Sequence, residues 1–195
     1  MPRAKQRTPA LRDRVIDVAV ATLAEGGVSA LTTRRVAERA ETSIPAVYEL
    51  FGDKGGLVRE VFFEGFRQLG GRLQELAETD DPRADLERVI QAFRAFLRDN
   101  AELAAVMFSR PFADFDPGPA DLAAGATVRE FVVERVRRCV EAGRLTGNPT
   151  DVAHVVVALV QGLAGQEAAG WLGTSKASVN RRWSLAVRGL LDGLG

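Results

Sequence analysis

Apolar residues recur at three- and four-residue steps along most of the chain, and no stretch keeps the two-residue alternation of a strand for long. The pattern therefore predicts a nearly all-helical protein of about nine helices. Residues 9 to 25 place Leu11, Val15, Ile16, Ala19, Val20 and Leu23 on one stripe, and Gly26-Gly27 is a strong stop. Leu31 to Leu57 reads as two short helices joined by a tight turn, followed by the start of a third. Thr32 or Thr33 can cap the first of these helices and Ser43 the second, with Pro45 in its first turn, where a missing N–H costs nothing. Val47 and Phe51, one turn apart, form a buried stripe and leave Pro45, Ala46, Tyr48 and Glu49 on other faces. A helix this short is unstable alone, so its partners must hold it while its open face stays available to a ligand.

A longer helix over about 54–77 carries Val58, Phe62, Phe66, Leu69, Leu73 and Leu76; at 1.5 Å per residue it spans roughly 37 Å and can link two parts of the molecule. After the polar break 78–82 comes a helix with Leu86, Val89, Ile90, Phe93 and Leu97 inward, then a short one over 100–110. Three prolines and a glycine make 111–119 irregular, and 122–143 is helical again with Val128, Phe131, Val132, Val136 and Val140 as its stripe. The stretch 151–172 is apolar almost all round, as in a helix buried on several faces, and the last helix begins near Ser175. In a chain of 195 residues a subunit interface explains such a helix. The two final helices are expected to form half of a four-helix bundle completed by a two-fold mate, with Val156, Val160, Leu163, Trp183 and Leu190 at the interface.

Charge refines this picture. Lys plus Arg and Asp plus Glu both number 26, which excludes a uniformly basic nucleic-acid binder but leaves local patches open. The first fourteen residues hold Arg3, Lys5, Arg7, Arg12 and Arg14 against Asp13 alone, which is either a solvated tail or a functional one. Cys139 is the single cysteine, which suits a reducing compartment. No apolar run reaches the ~20 residues of a membrane span, and no signal peptide precedes the first helix, so a cytoplasmic location is expected. The chain shows no metal-ligand cluster, no Cys–His pairing, no phosphate-cradling glycine loop and one histidine, His154; an enzyme and a cofactor are not expected.

The first helix ending in Gly26-Gly27, then Leu31-Thr32-Thr33-Arg34-Arg35-Val36-Ala37, Ser43, Ala46-Val47-Tyr48, Phe51 and Gly52-Asp53-Lys54 before Leu57, together resemble the DNA-binding domain of the tetracycline-repressor (TetR) family. The resemblance covers roughly residues 9 to 66. Two positions depart from it: Glu41 stands where the turn usually has glycine, and Leu50, preceded by Glu49, where histidine or tyrosine is usual. A left-handed turn conformation would then fall on a non-glycine residue.

Residues 1–8 are expected to be a basic disordered tail, and the resemblance implies a three-helix helix-turn-helix DNA-binding domain (9–56) and a helical ligand-binding and dimerisation domain (57–195). It implies a transcriptional regulator, in the usual case a repressor, that binds an inverted-repeat DNA operator as a homodimer and is released by a small hydrophobic or amphipathic effector. Phosphate contacts would come from Thr33, Ser43, Tyr48 and Lys54, and base contacts from Arg34, Ile44, Pro45 and Ala46. Arg35 and Arg39 would form a solvated basic flank. Phe93, Phe96, Met107, Phe108, Phe112, Phe131, His154, Gln161 and Trp171 are candidates to line the effector pocket, each with core packing as the alternative. The competing reading is a helical dimeric binding module that has lost specific DNA recognition.

Overall fold

The structure, a computed structural model, describes residues 9–108 and 118–195, and the side chains of all of these except 120–122. The expected basic tail and most of the irregular segment, Phe112 included, lie outside the described residues. Among the described residues there are nine helices and no strand: α1 (Pro9–Ala30), α2 (Thr33–Arg39), α3 (Ile44–Phe51), α4 (Lys54–Gln74), α5 (Pro82–Asp99), α6 (Ala101–Phe108), α7 (Pro119–Glu141), α8 (Pro149–Ala168) and α9 (Lys176–Gly193). They divide into two compact units, Met1–Phe66 with Asn100–Asp121, and Arg67–Asp99 with Leu122–Gly195. The division falls inside α4.

In the first unit Leu11, Val15, Ile16, Ala19 and Leu23 of the predicted α1 stripe are buried, and Val20 is half-buried. Gly26 (φ −148°) and Gly27 (φ 66°) break the helix where the pair of glycines predicted, and one more turn runs on to Ala30. Helix α6 packs along α1 and contributes Leu103, Val106 and Met107 to this core. It also lies close to α4, since a Cβ added at Gly65 would come within 2.5 Å of the Met107 sulfur.

The second unit is built from the C-terminal part of α4 and from α5, α7, α8 and α9. Leu69, Leu73, Leu86, Ile90, Phe93, Val132, Val136, Val156, Val160 and Leu191 form its core. The loop after α4 is held by charge. Asp85, buried at the start of α5, accepts from the Thr79 amide (2.9 Å) and hydroxyl (2.6 Å), from Arg138 of α7 (2.8 Å) and from Arg88. Arg138 also donates to the Thr79 carbonyl at 2.7 Å, and Arg135, stacked over Phe131, donates to the Leu76 carbonyl at 2.9 Å. Cys139 is buried against the Pro82 carbonyl, 3.1 Å away, and burial pushes its thiol up to about 11, so it is a packing residue.

The last two helices differ from expectation. Helix α8 stops at Ala168 instead of near residue 172, because Gly170 takes a φ of 74° and turns the chain. Val156, Val160 and Trp183, expected at a subunit interface, are buried by their own chain, and Leu163 and Leu190 are partly covered. All-round apolarity hid which side of α8 faces inward. The face left open carries Val155, Ala158 and Gly162, at three- and four-residue steps, and α9 exposes Leu185.

Candidate functional site

Local sequence explains the geometry of α2 and α3. Thr32, in extended backbone, caps α2 by accepting from the Arg35 amide at 3.2 Å, so Thr33 is the first helical residue. Ser43 caps α3 in the same way, accepting from Ala46 at 3.3 Å, with Pro45 in the first turn. Between them the Thr42 amide reaches back to the Ala37 carbonyl (2.9 Å) and the Glu41 amide to Glu38 (3.2 Å), the paired bonds of a Schellman turn. Its left-handed position is Glu41, at φ 52°, the non-glycine residue in this conformation that the sequence anticipates.

The end of α3 and the start of α4 are equally tight. Gly52 (φ 79°, ψ −69°) centres a γ-turn closed by the Asp53 amide on the Phe51 carbonyl at 3.0 Å. Asp53 then caps α4 by accepting from Gly56 at 2.8 Å, which puts Lys54 at the first position of that helix. Gly56 passes so close to the Phe51 carbonyl oxygen that a Cβ there would lie 1.8 Å from it. These glycines serve a compact corner between α3 and α4.

Val47 (1% exposed) and Phe51 anchor α3 to the core, while Ile44 (38%) and Tyr48 (47%) stand in solvent on its other side. Ser43, Pro45, Arg34 and Lys54 are exposed, whereas Thr33 and Ala46 are half-buried. The structure thus sets a short rigid helix with an open face rich in apolar and hydroxyl groups, and exposed cations on α2 and α4. Hydroxyls and helix N-terminal amides suit phosphate oxygens, and exposed Arg and small apolar side chains suit base edges in a major groove.

Arg39, expected in a solvated flank, is exposed and also paired. Its guanidinium grips Glu25 at the end of α1 through two bonds of 2.6 and 2.7 Å and also reaches the Thr22 hydroxyl at 3.1 Å. The hydrogen bond from Arg39 holds the Glu25 carboxyl below its ordinary range and raises Arg39 in turn. Arg35 lies 3.7 Å from the same carboxylate. Arg39 is a clamp between α1 and α2; the fourteen residues separating it from Glu25 gave no local signal of the pairing.

The residues predicted to line a pocket fall in both units. Phe93 and Phe96 are buried within the second unit, and Phe131 is covered by Arg135 there. Met107 is buried within the first unit, where Phe108 stacks edge-on against Phe66 at 5.5 Å. His154 is on the surface, its Nδ1 2.8 Å from the Thr150 carbonyl of the same helix, and Gln161 is half-buried. Trp171 is 77% exposed in the turn after α8. His154 is thus exposed near the start of α8, its ring satisfied by a backbone carbonyl of its own helix. Among the described residues no helix is long and apolar enough to cross a membrane, and no group of three His, Cys, Asp or Glu side chains is placed to hold a metal ion.

Comparison with known proteins agrees with this architecture. Residues 15–61 match the model for bacterial regulatory proteins of the tetR family, and residues 86–190, more than half the chain, match that for the tetracyclin repressor-like C-terminal domain. The HTH-type transcriptional regulator BetI of Burkholderia thailandensis is 35% identical over 83 residues, 42% of this chain and 43% of that protein, so the chain spans under half the length of this relative. A protein of unknown function from Rhodococcus sp. RHA1 superimposes with a TM-score of 0.81 at 25% identity, over 100% of this chain and 99% of the other. The transcriptional regulator FadR from Bacillus subtilis, solved in complex with stearoyl-CoA, shares the fold with a TM-score of 0.75 at 16% identity, over 94% of this chain and 99% of that one. With its helix-turn-helix unit and its helical C-terminal region both matched, the chain belongs to the tetracycline-repressor (TetR) family of bacterial transcriptional regulators.

Proposed function

We propose that this protein is a ligand-responsive repressor that binds an inverted-repeat operator as a homodimer, with α3 of each protomer in the major groove. The observation that carries the reading is the exposure of Ile44 and Tyr48: in the described part of the first unit they are the large apolar side chains left in solvent, and both are on α3. Ile44, Pro45, Ala46 and Arg34 read base edges; Thr33, Ser43, Tyr48 and Lys54 fix the register on phosphates. A second copy covers the open face of α8 and α9, with Val155 and Leu185 taking the place of the buried Val156, Val160 and Trp183. The effector is small and hydrophobic or amphipathic, in keeping with the aromatic side chains of the second unit, Phe93, Phe96 and Phe131. It acts by binding the DNA-free arrangement better than the bound one.

Selection of bound duplexes from a random pool tests this reading. The dimer selects two half-sites in inverted repeat at major-groove spacing. Lys54→Ala weakens binding to every duplex and makes the salt dependence shallower by about 1, whereas Arg34→Ala costs about 1–3 kcal/mol at the base it reads and relaxes the preference there. Recovery of no sequence, with a stable dimer in solution, would favour the binding module that lacks DNA recognition.

A further inference from the structure

The open side of α3 ends on a carboxylate. At about 100° per residue, Ile44, Tyr48, Pro45 and Glu49 follow one another around an arc of roughly 140°. All four are exposed. Val47 and Phe51 are buried on the other side, with Ala46 and Leu50 half-buried between. Glu49 is the one charged residue of α3. It lies one turn beyond Pro45, about 6 Å further along the helix axis. Base pairs stack at ~3.4 Å, so a helix laid along a groove carries Glu49 about two pairs past the base edge that Pro45 meets.

A carboxylate is costly at this position for two reasons. Glu49 is in the last turn of α3, at the negative end of the helix dipole. It also faces the polyanion that α3 is read as meeting, on a stretch with little positive charge to spare. Between Pro9 and Phe66 seven basic side chains stand against nine acidic ones. Of the seven, Arg12 is held by Glu60, and Arg35 and Arg39 lie against Glu25. The floor of the major groove offers the carboxylate a partner. Cytosine presents its N4 amino donor there, guanine two acceptors, thymine one acceptor, and adenine an acceptor beside its N6 donor. An ionised carboxylate only accepts. It therefore gains a charge-assisted bond from cytosine and is repelled by guanine and thymine, selecting by attraction and by rejection.

We propose that Glu49 is a specificity-determining residue of α3: it accepts a hydrogen bond from the N4 amino group of one cytosine in each half-site and rejects guanine and thymine there. The proposal rests on the DNA-binding reading above and names a base that the reading leaves open. Duplexes selected from a random pool by the intact chain, by Glu49→Ala and by Glu49→Gln test it, with titration of the parent's selected duplex, of its single-position changes and of a mixed-sequence duplex. The intact chain selects cytosine at one position per half-site, and replacing that base costs about 5-fold or more in affinity. Glu49→Ala loses the preference at that position alone. It binds the selected duplex more weakly and the mixed-sequence duplex more tightly, because the base contact and the repulsion of phosphate go together. Glu49→Gln moves the preference to adenine, whose N6 and N7 fit a carboxamide. Equal melting temperatures of the three proteins keep loss of fold out of the comparison. Variants that select the parent's sequence and bind every duplex more tightly overturn the proposal, leaving a carboxylate that only repels phosphate. A loss of preference spread over the whole half-site overturns it as well, since Glu49 would then only position α3. Failure of the intact chain to select any sequence overturns the DNA-binding reading itself, and this proposal with it.

Discussion

Arg94 of α5 holds the Glu167 carboxylate of α8 through two parallel hydrogen bonds, Nε to Oε2 at 2.9 Å and Nη2 to Oε1 at 3.0 Å. The same guanidinium donates to Asn180 Oδ1 at 2.9 Å and lies 4.6 Å from the Trp183 ring centroid, while Trp183 Nε1 donates to Glu167 Oε2 at 2.7 Å. One arginine thus joins α5, α8 and α9 in a largely desolvated cluster. Removing one member strands the others, a loss of about 3 kcal/mol for a buried pair. Glu167→Ala is expected to cost about that much, and Arg94→Leu with Glu167→Leu together to cost less than half of it, because no buried charge is left unpaired. Urea denaturation midpoints of the three proteins give the comparison.

Acid destabilises this unit through the same kind of contact. Burial pushes the Glu167 carboxyl up, but the hydrogen bond and charge of Arg94 outweigh it and hold the group below its ordinary value. Asp85 goes further in the same direction: burial opposes ionisation, and the bonds from Thr79 and Arg138 with the charge of Arg88 overcome it. A lowered native value means that the stabilisation is present above the unfolded carboxylate range and is lost as pH falls through the native value. Stability should therefore begin to drop below about pH 4, where unfolded carboxylates start to take up protons, and Asp85→Asn should flatten that limb. Thermal unfolding between neutral and acid pH measures both curves.

Glu41→Gly is expected to stabilise the first unit. A left-handed conformation costs a non-glycine residue about 1–2 kcal/mol, and the extra freedom of glycine in the unfolded chain returns about 0.4–1 of that, leaving a gain near 0.5 kcal/mol. The substitution also removes a negative charge from the turn before α3, so affinity for any duplex should rise at low salt. A lower melting temperature than the parent chain would show that the glutamate side chain contributes more than its backbone costs.

Trp183 and Leu185, two positions apart on α9, should separate folding from association. Trp183 is 1% exposed and Leu185 66%. Trp183→Ala should cost about 3–5 kcal/mol at any concentration, as expected for a large buried side chain. Leu185→Glu should leave the stability of the protomer within about 0.5 kcal/mol while shifting the proposed dimer towards monomer. Sedimentation across a concentration series distinguishes them, and a Leu185→Glu protein that associates like its parent would place the interface elsewhere.

Much of the helix pattern and the local chemistry of α2 and α3 follow from sequence alone. Caps, proline at the start of α3, glycine stops and three-to-four-residue apolar spacing act within a turn or two, so Thr32, Ser43, Pro45, Val47 and Phe51 could be placed from their neighbours. Even the left-handed Glu41 was visible as a residue standing where a turn calls for glycine. Relationships between distant residues belong to the tertiary structure. Periodicity shows that α8 is apolar but not that Val156 and Val160 turn inward and Val155 outward, because that depends on which helices already occupy its sides. Composition counts Arg39 as a surface cation, and folding adds what composition cannot show, a partner in Glu25 fourteen positions away. His154 and Trp171 read as pocket residues by type, and only packing decided that both stand in solvent. A residue's own chemistry and its near neighbours fix what it can do; which of those things it does is decided by the surfaces that the rest of the chain brings against it.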